Sequence, residues 1–353
     1  MDLFLFLLSL FLILVSCELF TNGVEWAGVR FNLSEGAVGS VLAAVGTALP
    51  ETMVPLIAIL FHPSANNDGV EIGVGAIMGS PFMIGTLALF VCGLALIIFR
   101  RHRGSAAMHV DGSLIRRDLA FFLLAYSLAA IVALLPVEIR WARILLGFSL
   151  IPLYCIYIWY TLKTGAVSEE APEQLYCYHF IKRMAGAKTE KTRQDDPPTW
   201  LILAQVLFAI VGIIIGASIF VEQIREIAAS LQVSPLILAL LIAPLATELP
   251  EMYNSFTWVR NGRDIYAIGN LTGAMVFQSC IPVTIGLLLT PWHINIGEPH
   301  QALQAVSMGI ALLSAAVLFT CSSRKPLRCS NMLFGGLLYA LFIVMVVLTL
   351  GGA

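Results

Sequence analysis

The stretch Gly46-Thr47-Ala48-Leu49-Pro50-Glu51, GTALPE, interrupts a long apolar run with a proline and a carboxylate. Two hundred residues later the chain writes ATELPE, Ala246 to Glu251. Neither residue type suits the middle of a helix in lipid. Proline removes a backbone donor and clashes with the preceding turn. An ionised glutamate at a helix centre in the bilayer costs at least about 2.5–3.5 kcal/mol. A chain that accepts both costs twice, in nearly the same letters, has a use for them.

The 353 residues are 59% hydrophobic and only 12% charged, about half the charge usage of a soluble domain, so the chain reads as an integral membrane protein. A net charge of −2 with no basic stripe gives no reason to expect nucleic acid. Seven cysteines form no CxxC pair, which argues against a disulfide framework or a zinc site. All six histidines fall in expected loops or span ends. A hydrolase using intramembrane glutamates would want a histidine or another base within the spans. The N-terminal MDLFLFLLSLFLILVSC reads as a first membrane helix, since Asp2 stands where a signal peptide carries basic residues.

Crossing about 30 Å of hydrocarbon takes about 20 apolar residues. Ten segments qualify: 3–28, 35–61, 70–99, 115–135, 141–162, 200–221, 235–259, 265–290, 301–320 and 331–350. Between the fifth and sixth lies a polar stretch, 163–199, expected to be a mobile linker. The expected units are therefore 1–162, the linker 163–199, and 200–353. Alternate loops hold 17 of the 20 basic residues; the others hold Arg140, Arg143 and Arg225. The positive-inside rule then predicts both termini outside and the linker in the cytoplasm. Short loops and the lack of a regulatory domain favour a prokaryotic plasma membrane.

Residues 18–51 align over 218–251 without a gap, with identities at Phe20, Ser34, Ala43, Thr47, Leu49, Pro50 and Glu51. In the following span GAIMGS (Gly75 to Ser80) answers to GNLTGA (Gly269 to Ala274). Five spans per half is an odd number, so the second copy enters the membrane inverted. Inverted repeats with broken helices mark secondary transporters, whose sites lie near the midplane.

Within each motif Pro50 and Pro250 should free the carbonyls of Gly46 and Ala246. Thr47 and Glu51, like Thr247 and Glu251, are four residues apart and share a helix face. Carbonyl, hydroxyl and carboxylate oxygens in one turn are hard ligands suited to Na⁺ or Ca²⁺. The GxxxG spacings Gly75/Gly79 and Gly269/Gly273 should press the third and eighth spans against the broken helices.

With GTALPE, ATELPE, GAIMGSPFMIG and DIYAIGNLTGAMVFQ in place, the sequence resembles the sodium/calcium exchanger family of the cation/calcium antiporter group, over essentially the whole chain. The resemblance implies an all-α membrane protein of ten spans in two inverted five-helix repeats, with the second and seventh helices broken. It implies no cofactor, a site for which a monomer suffices, and transport of small cations within membrane lipid. Carried over by position, Glu51 and Glu251 would be the central carboxylates. Thr47, Thr247 and Ser80 would add hydroxyls, and Ala44 and Pro244 backbone carbonyls. The chain departs from the family pattern where Ala48 and Glu248 replace serines, and Ala274 replaces the partner of Ser80. Ile84 and Gln278 stand where Asn or Asp is expected. Glu248 is a candidate coupling carboxylate or a helix-end residue. Exchange of Ca²⁺ against Na⁺ is the implied activity; exchange against H⁺ on the same fold is the alternative.

Overall fold

The computed structural model describes residues 3–30, 48–62, 68–108, 110, 112–164, 174–184, 197–322 and 327–351. Helix α1 (Leu3–Arg30) is followed by α2 (Leu49–Phe61) and α3 (Asp68–Met83). A π-helical turn, Ile84–Ala88, joins α3 to α4 (Leu89–Ile98) and the single turn α5 (Arg100–Arg103). Then come α6 (Gly112–Ala133), α7 (Arg140–Thr164) and a short helix α8 (Tyr176–Met184). The second half holds α9 (Thr199–Leu231), α10 (Pro235–Thr247), α11 (Leu249–Arg260), α12 (Asp264–Leu289), α13 (Pro299–Cys321) and α14 (Cys329–Gly351). A two-residue antiparallel ladder, β1 (Ala107–Met108) with β2 (Leu327–Arg328), ties two of the basic loops together.

Seven of the described helices are long and apolar enough to cross a membrane, and the bent pair α10–α11 makes an eighth candidate span. Helix α2 is the described part of the second expected span. Helix α6 occupies the fourth, its apolar stretch shortened by Arg116, Arg117 and Asp118 near its start. The clearest boundary difference is α9, which runs ten residues past the expected end at 221. Glu222, Gln223, Arg225 and Glu226 end the apolar run, but they are good helix formers, so the helix continues past it. Arg225 there pairs at 3.0 Å with Asp68, the first residue of α3. Within the stretch expected to be a mobile linker, Tyr176–Met184 is an ordered helix packed on α1 and α9.

Burial separates centre from rim. In α3–α4 and α12, 67% and 72% of the most apolar stretch is buried, against 22% in α1, α7 and α14. The two glycine-rich spans thus lie at the centre, and α1, α7 and α14 at the rim. Helix α12 packs on α6 and α7 of the first half, and α3–α4 packs on α13 and α14 of the second. The halves therefore interlock rather than sit side by side.

Two close approaches fix this arrangement. A Cβ at Gly75 would lie 2.5 Å from the Leu236 carbonyl, and one at Gly79 would meet the Leu240 carbonyl. Only glycine lets α3 lie this near α10. On α9, Gly212 and Gly216 take the same role against Ser16 and Ile13 of α1. Gly269 and Gly273 differ: a Cβ there comes no nearer than 3.8 Å to Leu114 and 3.6 Å to Tyr157 among the described residues, both on the α6–α7 side. Just beyond α4, Arg103 ties the chain to α11 and the start of α12. Its guanidinium grips Asp264 through two bonds of 2.6 and 2.8 Å and also donates to the Val259 carbonyl.

Candidate cation site

The seventh expected span breaks where ATELPE predicts. Helix α10 ends at Thr247, α11 starts at Leu249, and their axes bend by 44°. Pro250 sits in the first turn of α11, where a missing N–H does not interrupt that helix's own ladder. Pro50 occupies the same place in α2, and the residues before Ala48 lie outside the described structure. Each Pro-Glu pair thus lies in the first turn of a helix. Glu51 and Glu251 stand where the unpaired N–H groups favour negative charge.

The three glutamates converge. One carboxylate oxygen each from Glu51, Glu248 and Glu251 lies within 4.8 Å of the other two. All three side chains are buried, Glu248 completely and the others 3% exposed. Glu248 does sit at the helix break, as a helix-end residue would, yet it faces the interior. Position 248 is the N-cap of α11 and position 48 the N-cap of α2, and neither side chain makes a capping bond. A serine would cap there. Alanine cannot, and the longer glutamate reaches past the helix end into the cluster.

Two further predicted ligands meet Glu248. Gln278 on α12 donates from Nε2 to Oε1 of Glu248 at 2.5 Å. Ser80, buried on α3, is a second polar side chain that interacts with Glu248. The glycine contact of Gly79 with α10 brings Ser80 this close. Thr247 is buried at the break, and its hydroxyl donates to the Pro244 carbonyl at 3.5 Å, leaving its oxygen free to accept. The Pro244 carbonyl also takes the Glu248 N–H at 2.9 Å, so a bound ion would have to share it. Ala274 and Ile84 bring no polar side chain, and Thr47 and Ala44 lie outside the described residues.

The oxygens left over are informative. Both carboxylate oxygens of Glu51, Oε2 of Glu248, Oε2 of Glu251 and Oε1 of Gln278 are buried with no hydrogen-bond donor among the described residues. All five are acceptors. Buried polar atoms are normally satisfied, and five acceptors without donors in one place call for a positive charge. Oxygens on opposite sides of a Ca²⁺ with bonds of about 2.4 Å stand about 4.8 Å apart, so three oxygens within 4.8 Å of one another are close enough to share one ion.

Residues the sequence reading passed over brace the site. Asn270 donates to the Glu251 carbonyl at 3.3 Å and to Ser255 at 3.2 Å. Asp118 anchors α12 to α6 and α7. It accepts from Thr272 at 2.7 Å, from Tyr157 at 3.2 Å and from two nitrogens of Arg117 at 2.9 and 3.0 Å. The signal for Asp118 was available, an acid followed by an apolar run in RRDLAFF, but its partners are distant in sequence.

A family model for the sodium/calcium exchanger protein matches residues 1–163 and 201–351. The chain belongs to the sodium/calcium exchanger family. It is 24% identical over 314 residues to an uncharacterized membrane protein of Methanocaldococcus jannaschii, covering 89% of this chain and 87% of that one. Its fold matches the crystal structure of the H⁺/Ca²⁺ exchanger CAX with a TM-score of 0.62 at 20% identity, over 99% of this chain and 86% of the other. It matches the sodium-calcium exchanger NCX_Mj with a TM-score of 0.55 at 22% identity, over 96% and 97%. As a member of this exchanger family the protein is an integral membrane secondary transporter, not an enzyme.

Proposed function

We propose that the chain is a Ca²⁺ antiporter whose transported ion sits among Glu51, Glu248 and Glu251. The observation that carries this reading is the buried cluster of carboxylate oxygens within 4.8 Å, with five unpaired acceptors around it. Gln278, Ser80 and Thr247 add oxygens, and Thr47 with the carbonyls of Ala44 and Pro244 completes the set. A hard divalent cation takes six to eight such ligands.

The reading includes ten spans in two inverted five-helix repeats, 1–162 and 200–353, joined by 163–199 on the cytoplasmic side. Both termini lie outside, in a prokaryotic plasma membrane. Supporting the repeat, the contacts pair off when the halves are exchanged: α12 on α6 and α7, α3–α4 on α13 and α14. Helices α1 and α9 pack chiefly on each other at the rim and are the pair that shifts across the site in alternating access.

Na⁺ is the first reading for the counter-ion, following the family. Three carboxylates carry three negative charges when ionised. One Ca²⁺ neutralises two, and a site emptied of Ca²⁺ needs other cations. H⁺ is the second reading, and Glu248 is the observation that favours it. A third carboxylate replaces a neutral serine, while Ala48, Ala274 and Ile84 remove oxygens that would hold Na⁺. The same fold carries both couplings in the two solved structures, so the choice lies in these ligands.

The test is ⁴⁵Ca²⁺ uptake into proteoliposomes under an Na⁺ gradient at uniform pH, and under a pH gradient without Na⁺. Uptake in the first arm supports Na⁺ exchange; uptake only in the second supports H⁺ exchange. No uptake in either arm, from protein that is folded and correctly inserted, overturns the Ca²⁺ reading.

A further inference from the structure

The short helix α8 has a defined seat. Its nine residues are too few to hold a helix in isolation. Its first two N–H groups, which no helical carbonyl can serve, are taken by side chains from two other helices. Tyr176 N donates to Asn22 Oδ1 of α1 at 3.1 Å, and Cys177 N donates to Gln205 Oε1 of α9 at 2.9 Å. The two amides also bond each other, Gln205 Nε2 to Asn22 Oδ1 at 3.0 Å, and Gln205 reaches the Leu19 carbonyl at 2.9 Å. Tyr176 Oη adds a bond to Glu18 of α1 at 2.8 Å. Below these bonds Leu175 packs into a cluster with Trp26, Leu201 and Ile202, and Tyr178 packs against it.

What this seat leaves uncovered is apolar. Phe180 is 63% exposed and Ile181 48%, on a strongly amphipathic helix with His179 turned to the other side. The helix carries Lys182 and Arg183 and no acid. Beside it, the first turn of α9 carries Trp200, 66% exposed, and the exposed side continues with Leu203 and Leu207, an apolar face beginning at an aromatic residue. An apolar face with basic companions, held where a spanning helix enters the membrane, fits a bilayer surface.

We propose that α8 is an interfacial foot: Phe180 and Ile181 seat in the headgroup region of the surrounding membrane, and Lys182 meets anionic lipid. The inference rests on the proposed orientation, with residues 163–199 on the cytoplasmic side. Because Asn22 and Gln205 bind α8 to both α1 and α9, the foot travels with that pair.

The experiment places a nitroxide at position 179, 180 or 181 of the full-length protein without its native cysteines, in phosphatidylethanolamine/phosphatidylglycerol vesicles. Collision with oxygen, which enters lipid, is compared with collision with a water-soluble nickel chelate. The expected oxygen-to-nickel ratio is severalfold higher at 180 and 181 than at 179. Equal ratios at all three positions put the helix in water and overturn the proposal. Shielding of 180 and 181 from both reagents points to a protein cover and also overturns it. If the cysteine-free protein does not fold, the wild-type chain is crosslinked to a phospholipid bearing a diazirine near the headgroup. Adducts at Phe180 or Ile181 are expected, and their absence overturns the proposal. Neither readout uses transport, so a failed Ca²⁺ assay with a seated helix would refute only the functional reading.

Discussion

Gln278 and Glu248, thirty residues apart on two helices, meet at 2.5 Å at the break of the seventh span. The glutamine gives its N–H to one carboxylate oxygen and keeps its own Oε1 unpaired beside the cluster. It therefore orients Glu248 and can also act as a ligand. Gln278→Leu removes both functions. Losing the donor to a buried charged acceptor costs about 1–3 kcal/mol. The Ca²⁺ concentration for half-maximal uptake should rise by about tenfold or more, since 1.4 kcal/mol is one decade. An unchanged value in the flux assay would mean that Gln278 does not contact the bound ion.

Glu51→Gln and Glu251→Gln should each abolish Ca²⁺ uptake. Each keeps the shape of the side chain and removes one charge from the cluster. Correct folding is checked by monodisperse elution in detergent. Wild-type uptake by both variants would sink the central placement of the ion.

Glu248→Ser restores the residue type of the family at the N-cap of α11 and removes the third carboxylate. If Glu248 carries the proton coupling, this variant loses uptake driven by a pH gradient and keeps Ca²⁺ binding, measured by equilibrium dialysis with ⁴⁵Ca²⁺. Retained pH-driven uptake would assign the coupling to another group.

Gly79→Ala forces a Cβ against the Leu240 carbonyl and within 2.6 Å of Pro244 Cγ. Overpacking of this kind costs about 1–3 kcal/mol. The melting temperature in detergent should fall, and Ca²⁺ uptake should fall with it because Ser80 is displaced from Glu248. Gly309→Ala is the control, since a Cβ there meets nothing within 4 Å among the described residues, and it should leave both measurements unchanged.

Asp118→Ala leaves Arg117, Thr272 and Tyr157 without their shared acceptor between α6, α7 and α12. Breaking a buried ion pair by removing one partner costs about 3–5 kcal/mol. The expected outcome is a lower melting temperature or a poorly folded protein, with Asp118→Asn less affected because it can still accept from Thr272. Equal stability of Asp118→Ala and wild type in a thermal melt would show that the network contributes nothing.

How far the sequence could be read followed from the range of the interactions. The apolar runs, the doubled motif and the break at ATELPE were visible, since each depends on neighbours within one or two helical turns. The role of Glu248 was not. Whether a residue beside Pro250 points to a vestibule or inward depends on how α3 and α12 pack on the break. The order in Tyr176–Met184 was hidden for the same reason: its composition reads as a polar linker, while its caps come from Asn22 and Gln205, more than 25 residues away on either side.

By itself the sequence determined a membrane chain with a duplicated, proline-marked acid in each half, because lipid makes apolar length and broken helices legible without any knowledge of contacts. Only the tertiary structure decided that three glutamates rather than two share one buried site, and that Gln278 bonds the third. Those facts rest on close packing of distant helices, which glycines permit at Gly75 and Gly79, and no local pattern encodes the register in which the helices meet.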